Sequence, residues 1–102
     1  MDGFTVLLGP VAGTGPRNFV IAAPRAVSAT MMCAGQRIAW LRTTPNIVGM
    51  GVACANGGAG GSDWLNVPSN DVGRIVHVHI AAPAGTRWLL RLDGSSTKHH
   101  QV

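Results

Sequence analysis

The 102-residue chain contains no glutamate, no tyrosine and a single lysine, and only 12% of its residues are charged. Surface helices of soluble bundles draw on glutamate and lysine for propensity and ion pairing, so this composition argues against a helical bundle. Carboxylates are confined to Asp2, Asp63, Asp71 and Asp93, and no two stand at a spacing that suggests a general acid–base pair for hydrolysis. No G-x-S-x-G turn is present. None of the serines sits in a recognisable nucleophile context, and the two cysteines carry no local signature of a Cys–His dyad. The expectation is that the protein is not an enzyme.

Long hydrophobic runs are also missing. The longest falls far short of the ~20 residues that a membrane-spanning helix needs. The opening MDGFTVLLGP has neither the basic start nor the long apolar stretch of a signal peptide. A leader removed on maturation and a start placed too late are both compatible with that. The seven arginines (17, 25, 37, 42, 74, 87 and 91) give most of the formal charge of +4. They are spread singly, without the stripe of cations and interleaved aromatics that a phosphate backbone selects, so nucleic acid is not an expected partner.

What the chain does have is apolar residues (46%), fourteen glycines and six prolines. Its length suits one domain with one core, taken as residues 1–93 with 94–102 as a flexible polar tail. Short apolar or alternating segments bounded by turn formers recur at near-regular spacing: 4–8, 17–23, 26–34, 37–42, 47–54, 63–68, 74–81 and 87–92. That pattern predicts an all-β, single-domain antiparallel β-sandwich of about eight short strands. One alternative stays open, because Val27, Met31, Ala34, Ile38 and Leu41 would line one side of a helix over 26–42. Gly35 and the β-branched Val27, Thr30 and Ile38 oppose it. The last two segments are expected to form a hairpin closed by APAGT. In it Val76, Val78 and Ile80 would lie beside Leu92, Leu90 and Trp88 on one side, with His77 opposite Arg91 on the other.

The H-x-H pair His77 and His79 aims two imidazoles the same way, but two ligands do not make a metal site and a facing arginine would repel a cation. No metal and no cofactor is expected; the two histidines, with Arg87 and Arg91, are candidates for a mildly basic binding strip. The clusters GTG (13–15) and GGAGG (57–61) neither lead into G-K-[ST] nor open a helix, and read as flexible turns. Trp40 and Trp88 read as core. Trp64 follows NGGAGGSD at the edge of the longest glycine-rich loop and is the candidate for an exposed ligand platform, against the alternative of a lid folded over the sandwich. Cys33 and Cys54 each end an expected strand. They are either bridged, which implies an oxidising compartment, or buried free thiols in a cytosolic protein.

The succession GTGPRNFVI, SATMMCAG, GMGVAC and VHVHIAAPAGTRWLLRLDG resembles small extracytoplasmic β-sandwich domains of actinobacterial lipoproteins and secreted proteins of unknown function. In that pattern a G-x-G turn precedes an F-x-apolar strand, a strand ends in C-x-G, a second cysteine follows, and the chain closes on a W-x-apolar-x-apolar strand. The likeness spans roughly residues 13–93; this chain departs from it in having no lipobox and a more apolar MMCAGQRIAWLR. The resemblance implies a jelly-roll-like sandwich, a disulfide between Cys33 and Cys54, an extracytoplasmic or secreted location and no catalytic residues. The expected function is a non-catalytic binding or cell-surface accessory domain that acts through loops, those around NGGAGGSDW above all, or through a sandwich face, and whose ligand is a protein or a cell-surface glycan. The alternative is a phage or cytosolic accessory protein that binds a host or virion partner.

Overall fold

Period-two alternation produces strands that each bury one face. The computed structural model describes residues 5–35 and 37–96. Its strands are β1 (Thr5–Thr14), β2 (Arg17–Ala22), β3 (Ala26–Ala34), β4 (Ile38–Thr44), β5 (Gly49–Ala53), β6 (Ala59–Asn66), β7 (Ile75–Ala81) and β8 (Arg87–Ser95), with one short 3-10 turn at Ser69–Asp71. They form two four-stranded sheets, ordered β1-β8-β3-β6 and β2-β7-β4-β5, in which every pairing is antiparallel. Each consecutive pair of strands except β4–β5 crosses from one sheet to the other. That order is the jelly roll, an all-β sandwich.

The core lies between the sheets. Val27, Ala29, Met31, Trp88, Leu90 and Leu92 enter it from the first sheet; Ala39, Leu41, Val52, Val76, Val78 and Ile80 enter from the second. The helical alternative over 26–42 is overturned: Val27 and Met31 belong to β3, Leu41 belongs to β4 in the other sheet, and Ile38 points outward with 46% of its surface exposed. The closing hairpin is overturned too. All six of its apolar residues are buried, but β7 and β8 are in different sheets and meet across the interior instead of side by side. Alternation identifies the inward face of each strand and is silent on whether its apolar partner is a neighbour or a facing strand.

Two expected loops are strand. β1 continues past Gly9 and Pro10 to Thr14 by means of register shifts between Val6 and Val11, which suit an edge strand that carries a proline. Residues 59–62 pair with Thr30–Cys33 as the first half of β6, and Gly61 faces the Met50 methyl and the Val52 side chain. β8 runs on through Gly94 and Ser95, both buried, so the chain stays in the sandwich two residues beyond the expected boundary. The rest of the polar segment, 97–102, lies outside the described residues.

Three local devices fix the frame. The Trp88 indole lies across Gly13, its partner on β1, where a Cβ would sit 2.5 Å from Cζ2. Its Nε1–H donates to the Gly15 carbonyl at 2.8 Å, and Phe19 meets it edge-on at 6.2 Å. GTG is therefore part of a built corner and not a flexible turn. At the turn after β4, the buried Thr43 hydroxyl accepts from the backbone N–H groups of Ile47 and Val48 (2.8 and 3.0 Å) and donates to the Pro45 carbonyl (2.8 Å). Lastly, Cys33 and Cys54 form a disulfide with Cα atoms 5.1 Å apart, joining the end of β3 to the residue after β5 and so one sheet to the other.

Candidate functional site

Antiparallel partners share a face, so the registers place every outward side chain. On the first sheet, Leu89 pairs with Met32, Arg91 with Thr30, Asp93 with Ser28 and Arg87 with Ala34; Trp64 pairs with Ser28 from the other side. Met32 and Leu89 are 50% and 40% exposed. With Arg87 and Gly58 they border an open groove of about 290 Å³. The Arg91 Nε–H donates to the Asp93 carboxylate at 3.0 Å, so the charge of that arginine is offset on its own strand. Trp64 is half-buried in the middle of β6, its backbone N–H donating to the Asp63 carboxylate at 2.9 Å. It does not stand at the mouth of a glycine loop, because that segment is strand.

On the second sheet, Asn18 pairs with His79, Val20 with His77, His79 with Arg42, His77 with Thr44, Arg42 with Gly49 and Trp40 with Gly51. These residues form one continuous outer face. His79 is fixed at both ring nitrogens, Nδ1 by the Asn18 side-chain oxygen at 2.8 Å and Nε2 by the Thr44 hydroxyl at 3.2 Å. His77 runs nearly parallel to it, 6.4 Å between ring centres. Trp40 is 40% exposed, its ring lying across Gly51, where a Cβ would be 2.7 Å from Cζ3. The Arg42 guanidinium carbon sits 5.1 Å from that ring's centre, within range of a cation–π contact. Among the described residues Arg42 has no carboxylate partner.

Comparisons with known proteins find no matching family model, curated protein or solved structure. The site therefore rests on this geometry alone. The basic strip expected from His77, His79, Arg87 and Arg91 does not exist as one surface: the histidines face out from the second sheet and the arginines from the first, because β7 and β8 belong to different sheets. Trp40, expected in the core, is on the outer face with Arg42, and sequence reasoning missed both. The signal was present in IAWLRTT, where putting Ala39, Leu41 and Thr43 inward forces Trp40 and Arg42 outward together. Among the described residues no three of His, Cys, Asp and Glu converge as metal ligands. The gap between the sheets near Ile21, Leu41, Val48 and Val76 holds about 10 Å³, room for at most about one water. The second sheet's outer face presents an aromatic ring, a guanidinium fork and oriented hydrogen-bonding groups side by side.

Proposed function

We propose that this chain is a non-catalytic binding or surface accessory domain of an extracytoplasmic protein, and that it engages its ligand on the outer face of the second sheet. The observation that carries this reading is the cluster Trp40, Arg42, Asn18, His79 and Thr44, held on three hydrogen-bonded strands by contacts among its own members. Side chains ordered before the ligand arrives lose less entropy on binding. The Cys33–Cys54 bridge supports an oxidising compartment and weighs against a cytosolic accessory role. The likeness to small actinobacterial lipoprotein and secreted sandwich domains agrees with that location.

Binding of the wild type, Trp40→Ala and Trp64→Ala to an array of cell-surface glycans and envelope proteins tests the reading. Specific capture should fall about tenfold or more in Trp40→Ala, as for a central aromatic anchor, and persist in Trp64→Ala. Capture that survives Trp40→Ala but is lost on changing Met32 and Leu89 would move the site to the first sheet. Turnover of esterase, phosphatase or glycosidase substrates by the wild type would overturn the non-catalytic assignment. Freely alkylated cysteines in protein isolated without reductant would remove the extracytoplasmic one.

A further inference from the structure

We infer that the ligand of the second sheet's outer face is a carboxylate-bearing saccharide chain, with the Arg42 guanidinium seated on the Trp40 ring as the group that receives the carboxylate. This inference rests on that face being the binding surface. Every outward position of β2, β7, β4 and β5 is described, and none carries an acid; the described carboxylates, Asp63, Asp71 and Asp93, belong to β6, the 3-10 turn and β8. The titratable groups facing the site are Arg42 from β4 and His77 and His79 from β7, basic side chains without an acid among them. A guanidinium held over an indole keeps its planar fork of N–H donors, the geometry that pairs with a carboxylate through two parallel hydrogen bonds.

The shape of the face argues for a saccharide over an acidic peptide. Asn18, His79, Arg42 and Gly49 stand in one row across all four strands, which at about 4.8 Å per strand spans roughly 14 Å. That is room for a few linked sugar rings, with a polar group near each. Beside the row, the outward positions of β5 are Gly49, Gly51 and Ala53, so a flat ring there meets the Trp40 indole over Gly51 and no bulky side chain of β5 itself. The part of the Trp40 ring left exposed beside Arg42 can meet the C–H groups of a sugar, while the Asn18 amide nitrogen and the Thr44 hydroxyl border the hydroxyl groups. A peptide would be held by a free strand edge or by side-chain pockets, and this row crosses the centre of the sheet.

Calorimetric titration with short linear oligo-uronides, the same oligosaccharides with their carboxyls reduced to alcohols, and an oligo-aspartate peptide of matching charge tests the inference. The oligo-uronide should bind, its reduced counterpart about tenfold or more weakly, and Arg42→Gln should abolish that preference while leaving the melting curve unchanged. Arg42→Lys, which keeps the charge but not the fork, should restore only part of it. Equal binding of acidic and reduced sugars, both lost in Trp40→Ala, would overturn the carboxylate assignment and leave the face as the binding surface. Binding of the peptide alone would overturn the saccharide and again leave the face. Binding of none of the three would overturn the inference, and the array experiment with Trp40→Ala would then decide separately whether the face binds anything.

Discussion

The same small construction occurs twice in this molecule, once inside and once outside. Trp88 lies across Gly13 on the edge strand β1, and Trp40 lies across Gly51 on the edge strand β5; in each case indole and glycine are direct register partners. An aromatic ring laid over a cross-strand glycine covers backbone that would otherwise be wet and pins the edge strand's register. The difference is the face. Trp88 is 3% exposed, with its N–H satisfied by Gly15, whereas Trp40 is 40% exposed and capped by a guanidinium. The inner copy stabilises the sandwich, and the outer copy leaves aromatic surface and a cation for something else to touch.

The contrast can be broken by mutation, measured as the shift of the urea unfolding midpoint. Trp88→Ala should cost about 3–5 kcal/mol, since it empties a packed site, whereas Trp40→Ala should cost under about 1 kcal/mol because the site is already half wet. Equal costs would erase the distinction. The double variant Cys33→Ser, Cys54→Ser should lose about 3 kcal/mol for a bridge closing a 21-residue separation. Reductant should lower the wild type to the same midpoint. Gly13→Ala sets a new methyl against a ring with nowhere to go and should cost about 1–3 kcal/mol. Gly51→Ala meets a ring free to swing into solvent and should change stability by about 0.5 kcal/mol or less, its effect appearing instead in ligand binding. Arg91→Gln breaks an exposed pair with Asp93 and should likewise stay small, within about 0–1 kcal/mol.

How much of this was legible in the sequence follows from what period-two patterning encodes. The strands, the inward residues of β7 and β8 and the sandwich itself were readable because Val76, Val78, Ile80, Trp88, Leu90 and Leu92 keep period two, with His77, His79 and Arg91 between them and only Leu89 apolar on the outward side. Pairing was not, because facing apolar rows look the same from adjacent strands and from opposed sheets. For that reason His77 and Arg91 were placed together when the core separates them. Glycine misled at 13 and at 59–62: composition reads it as loop, whereas here the Trp88 ring occupies the space of a Gly13 Cβ, and Gly60 and Gly61 are ladder partners of Met32 and Met31. Trp40 was misplaced because four consecutive apolar residues, Ile38–Leu41, fit either phase of alternation, and the polar Thr43 belongs to the buried row with Ala39 and Leu41.

The disulfide also bears on the order of assembly. Among the described residues β4–β5 is the only pair of consecutive strands that are hydrogen-bonded to each other, so the other pairings there join strands distant in sequence, the kind of topology that folds slowly. Cys33 precedes that hairpin and Cys54 follows it, so the bridge encloses the one element able to form early from local contacts. In a chain already oxidised, the bridge ties the end of β3 to the far end of that hairpin, so a first contact between the two sheets is held covalently whatever the state of β1, β2, β7 and β8. A chain held reduced must find that first inter-sheet contact by collapse alone.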